Sequence, residues 1–253
     1  MSDAAKAKSV DPQEISNFAA MADEWWDETG KFKPLHKFNP IRIGYIRDQV
    51  IGHFNIQSKN APEQLNPFKG LRFLDIGCGG GLLSEPMARL GADMVAADAS
   101  ETNINVASLH SEKMGLSIDY RHTTAEDLAA SGEKFDVILN MEVIEHVADL
   151  EGFVASCCTM LKPGGIMFIA TLNRTFKSYA LAIVGAEYVL RWLPRGTHNW
   201  KKFLRPSEVI GLVREEGILV KDMAGASYNP LSDKWHLSKD FSVNYLLTTT
   251  KPK

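Results

Sequence analysis

Short apolar runs alternate with segments of helical period along most of the chain. Residues 71–76, 93–98, 118–122, 135–140 and 166–171 read as strands, and 218–223 and 241–250 as two closing strands. Helical segments at 82–90, 101–114, 148–161 and 206–216 fall between them. The third ends on Lys162-Pro163-Gly164-Gly165, a strong stop signal. Ahead of the first strand, Ile15, Phe18, Ala19, Met21 and Ala22 recur at helical spacing before the pair Trp25-Trp26. Pro34 and Pro40 then divide the next stretch into an irregular segment and a helix carrying Ile41, Tyr45 and Ile46. Residues 56–69, with Pro62, Asn66 and Pro67, read as a connector. Strands that alternate with helices predict an α/β fold, a doubly wound, mostly parallel seven-stranded sheet with helices on both faces. The whole chain, 1–253, reads as one domain: an N-terminal helical cap over 14–65 and a core over 66–253 that carries an insertion at 174–205 after the fifth strand.

The first strand runs into Asp75 and then Gly77, Gly79, Gly80 and Gly81. A strand, a glycine-rich turn and a helix in that order let a cofactor approach the backbone at the carboxyl end of the sheet. A Cβ would block that approach, and tight turns often require positive φ. The spacing is GxGGG, with Leu82 where a dinucleotide fingerprint has its third glycine, and no Lys-Ser/Thr pair follows as in a phosphate-cradling loop. The loop therefore favours S-adenosylmethionine (SAM) over NAD or a nucleoside triphosphate. Asp98 ends the second strand 21 residues beyond Gly77, where an acid can accept both hydroxyls of an adenosine ribose; the alternative is a plain helix N-cap. Glu126, after the third strand, can take the adenine amino group or simply start a helix.

Glu142, Glu145 and His146 follow the fourth strand directly. At i, i+3 and i+4 they share one face if the segment is helical, at the end of the sheet where such folds bind substrate. Two carboxylates and an imidazole suit a hard divalent ion such as Mg²⁺. Without a metal, His146 can act as general base for a hydroxyl proton. The third reading is an acidic helix start. The aromatic, basic stretch around Trp25-Trp26 is either core or a lid over the cofactor mouth.

Composition adds boundaries. Hydrophobic residues make up 45% and charged residues 23%, with a net charge of −3, which gives no general reason to expect a nucleic-acid partner. Cys78, Cys157 and Cys158 have no metal-ligand spacing and fit a reduced, cytoplasmic setting. The start lacks a signal-peptide core, and no run of 18 apolar residues predicts a membrane span. The insertion departs from the rest. Arg174, Lys177, Arg191, Arg195, Lys201, Lys202 and Arg205 stand there against Glu187 alone, around an apolar stretch at 179–193. Fifteen helical residues reach about 22 Å, short of the roughly 30 Å hydrocarbon core. The stretch is either a helix at an anionic membrane surface, on the inner face, or a buried core helix.

These features together resemble class I SAM-dependent methyltransferases. The segments WWDxxGxFKPLHxxNPxRxxYI, LDIGCGGG, MEVIEHV, TLNR and VGAEYxLRxxPxGTHxxKKF narrow the likeness to the ubiquinone biosynthesis O-methyltransferases, over about residues 14 to 250. The resemblance implies a Rossmann-like fold and methylation of polyprenylated aromatic hydroxyls, with SAM as co-substrate, at two stages of the synthesis. It implies that Arg42, Gly77, Asp98 and Met141 are cofactor positions, joined by Asp75 and Gly79 of the same loop, and that Glu142, Glu145 and His146 match a motif assigned to a divalent metal. It also implies other proteins of ubiquinone biosynthesis as partners. The alternatives are a C-methyltransferase of the same pathway and a non-catalytic, lipid-bound scaffold.

Overall fold

The computed structural model describes residues 9–56, 65–180, 200–229 and 231–253. Its centre is one eight-stranded sheet in the order β3-β2-β1-β4-β5-β8-β6-β7. The parallel part comprises β1 (Arg72–Ile76), β2 (Asp93–Asp98), β3 (Asp119–His122), β4 (Phe135–Met141) and β5 (Leu161–Leu172). β6 (Leu219–Asn229), β7 (Lys234–Ser238) and β8 (Asn244–Thr250) complete it antiparallel, with β8 inserted between β5 and β6. The expected doubly wound architecture is present with one strand more than the seven predicted. The extra strand, β7, pairs with β6 at the sheet edge; its five residues alternate polar and apolar through Trp235 and Leu237, but the run is too short to stand out from the polar stretch around it.

Because strand side chains alternate between faces, the sheet has two cores. Leu74, Ile76, Val95, Ile138, Met167 and Leu247 point to one. Phe153 and Cys157 of α6 (Leu150–Met160) and Val209 and Val213 of α7 (Pro206–Glu215) close that side. Phe73, Met94, Val137, Leu139, Met141 and Phe168 point to the other, covered by Ile46 and Val50 of α2 (Lys33–Phe54) and Met87 of α3 (Ser84–Arg89). Asp75 lies on this second face of β1, between Phe73 and the loop, which turns its carboxylate toward α2 and α3.

Two local expectations change. Pro34 and Pro40 do not break the chain: α2 is one helix of 22 residues. Pro34 sits in its first turn, where the missing N–H has no partner to lose; Pro40 is interior and removes one hydrogen bond. The burial of Phe38, Arg42, Tyr45, Ile46 and Val50 along one helix holds both ends together despite that loss. Residues 142–149 are not helical. Glu142 takes φ +59°, outside the helical region, and only a turn spans 144–146. The apolar stretch at 179–193 lies from residue 181 onward outside the described residues, as does most of the 56–69 connector.

Candidate active site

The carboxyl ends of β1, β2 and β4 meet where the strand order reverses, and a cavity of about 280 Å³ opens there. Arg42, Asp75, Gly77, Gly79, Asp98, Met141, Glu142, Glu145 and His146 all line it. One helix, three strand ends and two loops thus bring most of the predicted positions to one place. Glu126 is the exception. It lies one residue beyond the lining Ala125, and its Oε1 accepts a hydrogen bond from the Ser9 N–H at 3.0 Å.

Gly77 (φ +72°) and Gly79 (φ +53°) hold backbone conformations that a side chain rarely adopts. A Cβ on Gly77 would meet Val143 at 2.5 Å, and one on Gly80 would meet Trp25 at 2.4 Å. The loop is tied to the second strand by the Gly77 N–H, which donates to the Ala97 carbonyl at 2.8 Å. Asp98 reaches back to it as well. Its Oδ2 accepts from the Gly79 N–H at 2.9 Å, and its Oδ1 from the Ser100 N–H at 2.8 Å and the Asn103 side chain at 3.3 Å. Burial nevertheless raises the Asp98 pKa above the ordinary carboxylate value.

The far wall carries opposite charges in a dry setting. Asp75 accepts from the Ser84 hydroxyl at 2.6 Å, and burial pushes its carboxyl up to about 6. Arg42 lies under 4% exposed, its guanidinium 4.8 Å above the Phe38 ring and bonded to Asn39, while its Nε has no partner among the described residues. Burial lowers its pKa, and the charges of Glu142 and Asp75 oppose that. A buried guanidinium N–H left without an acceptor beside a cavity suits a carboxylate ligand. With Asp98 at the ribose position and glycines at the approach, the donor set fits SAM.

Glu142 is half-buried, and its buried Oε1 has no hydrogen-bond partner among the described residues. Burial and then the neighbouring Glu145 raise its pKa. Glu145 accepts from the Thr171 hydroxyl at 2.8 Å. His146 turns the other way, its Nδ1 donating to Glu14 Oε2 at 3.2 Å. Burial works against protonation of His146, but the Glu14 hydrogen bond and the charges of Glu145 and Glu14 outweigh it and raise the pKa. Glu14 in turn is held down to about 2, first by its hydrogen bond with His146 and then by Lys202, against its partial burial. Without the helix the three side chains do not share one helical face, and among the described residues no three His, Cys, Asp or Glu form a set that could hold a metal ion. This arrangement does not fit an ion bound by Glu142, Glu145 and His146 together.

Sequence reasoning missed much of the remaining wall. α1 (Pro12–Ala19) brings Glu14, Ile15 and Phe18 to the cavity, and Trp25 and Phe32 stack at 3.8 Å beside them. The Trp25 indole N–H donates to Asn103 at 3.0 Å, and that of Trp26 to the Gly80 carbonyl at 3.0 Å. The Trp pair is therefore both core and cover. No pattern in the sequence signals Glu14, whose partner is 132 residues away.

Comparison with known proteins agrees with this geometry. A family model described as a methyltransferase domain matches residues 74–169. A ubiquinone biosynthesis O-methyltransferase of Parvibaculum lavamentivorans is 63% identical over 96% of this chain and 95% of its own. Another, of a Chelativorans species, is 58% identical over 98% and 96%. Among solved structures, magnesium protoporphyrin IX methyltransferase from Synechocystis with bound SAH superposes with a TM-score of 0.63 at 16% identity, over 93% of this chain and 94% of that one. The N-methyltransferase NodS from Bradyrhizobium japonicum, in complex with SAH, gives 0.59 at 16% identity, over 95% and 98%. The two structures share the fold.

Proposed function

The chain belongs to the ubiquinone biosynthesis O-methyltransferases, and from that premise we propose how its residues divide the work. It is a SAM-dependent O-methyltransferase of ubiquinone biosynthesis. Its substrates are polyprenylated catechol and quinol intermediates, and it serves both O-methylation steps as one catalytic domain capped by residues 14–65. SAM, when bound, supplies a methyl group already electrophilic on its sulfonium. The protein then has to hold the acceptor in line and remove its proton.

Arg42 binds the cofactor carboxylate, Asp98 the ribose hydroxyls, and Gly77 and Gly79 leave room for the chain between them. Met141 would line the cofactor's pocket, and Asp75 holds the start of α3 through Ser84. His146 accepts the phenolic proton at Nε2, the ring nitrogen that Glu14 leaves free. The carboxylates of Glu142 and the buried Glu145 favour the imidazolium that results. The observation that carries this reading is that Arg42, Asp98 and His146, widely spaced in sequence, line one cavity at the strand switch point.

No helix among the described residues is long and apolar enough to cross a membrane. The basic insertion at 174–205 instead takes the prenyl substrate from an anionic bilayer surface. Methyl transfer from labelled SAM to a short-chain prenyl catechol, with EDTA and then with added Mg²⁺, tests the reaction. Turnover unaffected by EDTA is expected, with product NMR placing the methyl on oxygen. Turnover that requires Mg²⁺ would return Glu142, Glu145 and His146 to an ion and remove His146 as the base.

A further inference from the structure

His146 is held from outside the sheet. The Glu14 carboxylate accepts from its Nδ1 at 3.2 Å through Oε2 and from Lys202 Nζ at 2.8 Å through Oε1. Phe18, one helical turn after Glu14, meets the imidazole edge-on, with ring centroids 5.1 Å apart and planes at 88°. Both contacts come from α1. The strap before that helix is itself anchored: the Ser9 N–H donates to Glu126, and the Ser9 carbonyl accepts from the Ala148 N–H at 2.6 Å, two residues beyond His146. The imidazole thus has a carboxylate on one nitrogen, an aromatic edge against its ring and the cavity beside it.

We propose that Glu14 is a positioning residue for methyl transfer: its carboxylate keeps the proton on Nδ1 of His146 and the ring turned so that Nε2 faces the acceptor hydroxyl. A ring nitrogen's protonation is set by the hydrogen bond that the other nitrogen makes, so the acceptor is defined only while α1 is docked. The site is completed by the N-terminal helix closing over the cavity rather than by the sheet alone. This rests on the reading of His146 as the proton acceptor.

A mere anchoring role for Glu14, through its ion pair with Lys202, would act on binding. A positioning role acts on kcat. Glu14→Ala is expected to lower kcat about ten- to a hundredfold, with KM and calorimetric SAH affinity changed by less than about threefold. Glu14→Gln keeps an oxygen acceptor for Nδ1 while losing the charge that Lys202 needs, so it should recover much of kcat. In a His146→Ala background, Glu14→Ala should cost nothing further, since it acts through the ring.

Normal kcat in Glu14→Ala beside a dead His146→Ala would overturn the positioning role and leave the base intact. A change confined to KM or SAH affinity, or Gln no better than Ala, would make Glu14 an anchor and overturn it equally. Full turnover in His146→Ala would remove the base and this inference with it. Should Glu14→Ala fail to fold, as judged by circular dichroism, the Gln variant and its double with His146→Ala decide the same question.

Discussion

Asp98 accepts from the Gly79 and Ser100 N–H groups and from Asn103, so one carboxylate fastens the glycine loop to the start of α4 (Glu101–Lys113) before any ribose arrives. Its removal has two separable consequences. Asp98→Ala is expected to weaken calorimetric SAH affinity by about tenfold or more, the equivalent of one lost charge-assisted hydrogen bond. It should lower Tm by about 2–4 °C for each kcal/mol of lost loop contact while far-ultraviolet circular dichroism stays native. Unchanged affinity would remove the ribose assignment. Asp75 offers a pH test at the end of the neighbouring strand, β1. Its folded pKa of about 6 lies above its ordinary value, so the folded state takes up the proton first. Asp75 therefore contributes stability that is complete below its unfolded pKa and is lost as pH rises through about 6. In chemical denaturation of the ligand-free protein, lowering pH from about 8 to about 4 should shift the wild-type minus Asp75→Asn difference in favour of wild type by about 2 kcal/mol. A difference independent of pH would show that the carboxyl is not raised.

At the scale of elements, the glycine loop and the aromatic cap fit each other. Gly80 has no positive φ, so alanine suits its backbone; only the Trp25 side chain, 2.4 Å from the added Cβ, opposes it. Gly80→Ala is thus a steric probe of whether the segment around Trp25 rests on the loop. It should lower Tm by several degrees, in keeping with about 1–3 kcal/mol for overpacking, and shift tryptophan emission to longer wavelength as the indole is pushed outward. Native emission and Tm would show that the cap does not rest there. Elements were legible where local pattern governs them: the parallel strands, the glycine turn and the helices α3, α4, α6 and α7 follow from period and stop signals. Three features were not. The 22-residue α2 survives Pro40 because packing of Ile46 and Val50 outweighs a local preference. β7 is an edge strand of five residues, too short a run to stand out from the polar stretch around it. The segment after β4 has helical spacing but follows a left-handed Glu142, a conformation that a non-glycine residue holds only when its surroundings impose it.

For the whole molecule, the site is shared between the sheet and what is folded over it, and that division explains what the sequence could foretell. Arg42, Asp75, Gly77, Gly79, Asp98 and Met141 were legible because each follows from a strand end or a familiar motif. Glu14, Phe18 and Lys202 were not, because their partners are more than a hundred residues away and no spacing encodes such a meeting. The insertion shows the same limit. Its seven cations give a local excess in the sequence, yet Arg174 pairs with Glu208, Lys177 with Asp240, and Lys202 with Asp11 and Glu14. At least three of the seven are thus already matched by the protein's own acids, so the charge the insertion could offer an anionic bilayer is smaller than its sequence suggests. Near such a surface a cation contributes about 1 kcal/mol, and the field fades within a Debye length of about 8 Å at physiological salt. The intact protein should therefore co-sediment with vesicles rich in anionic lipid at low salt, be released as salt rises, and ignore neutral vesicles. Replacing Arg191 and Arg195 by glutamine should abolish most of that binding while leaving SAH affinity unchanged. Equal sedimentation with neutral and anionic vesicles would assign the contact to the apolar stretch alone, and none with either would leave the insertion without a membrane role.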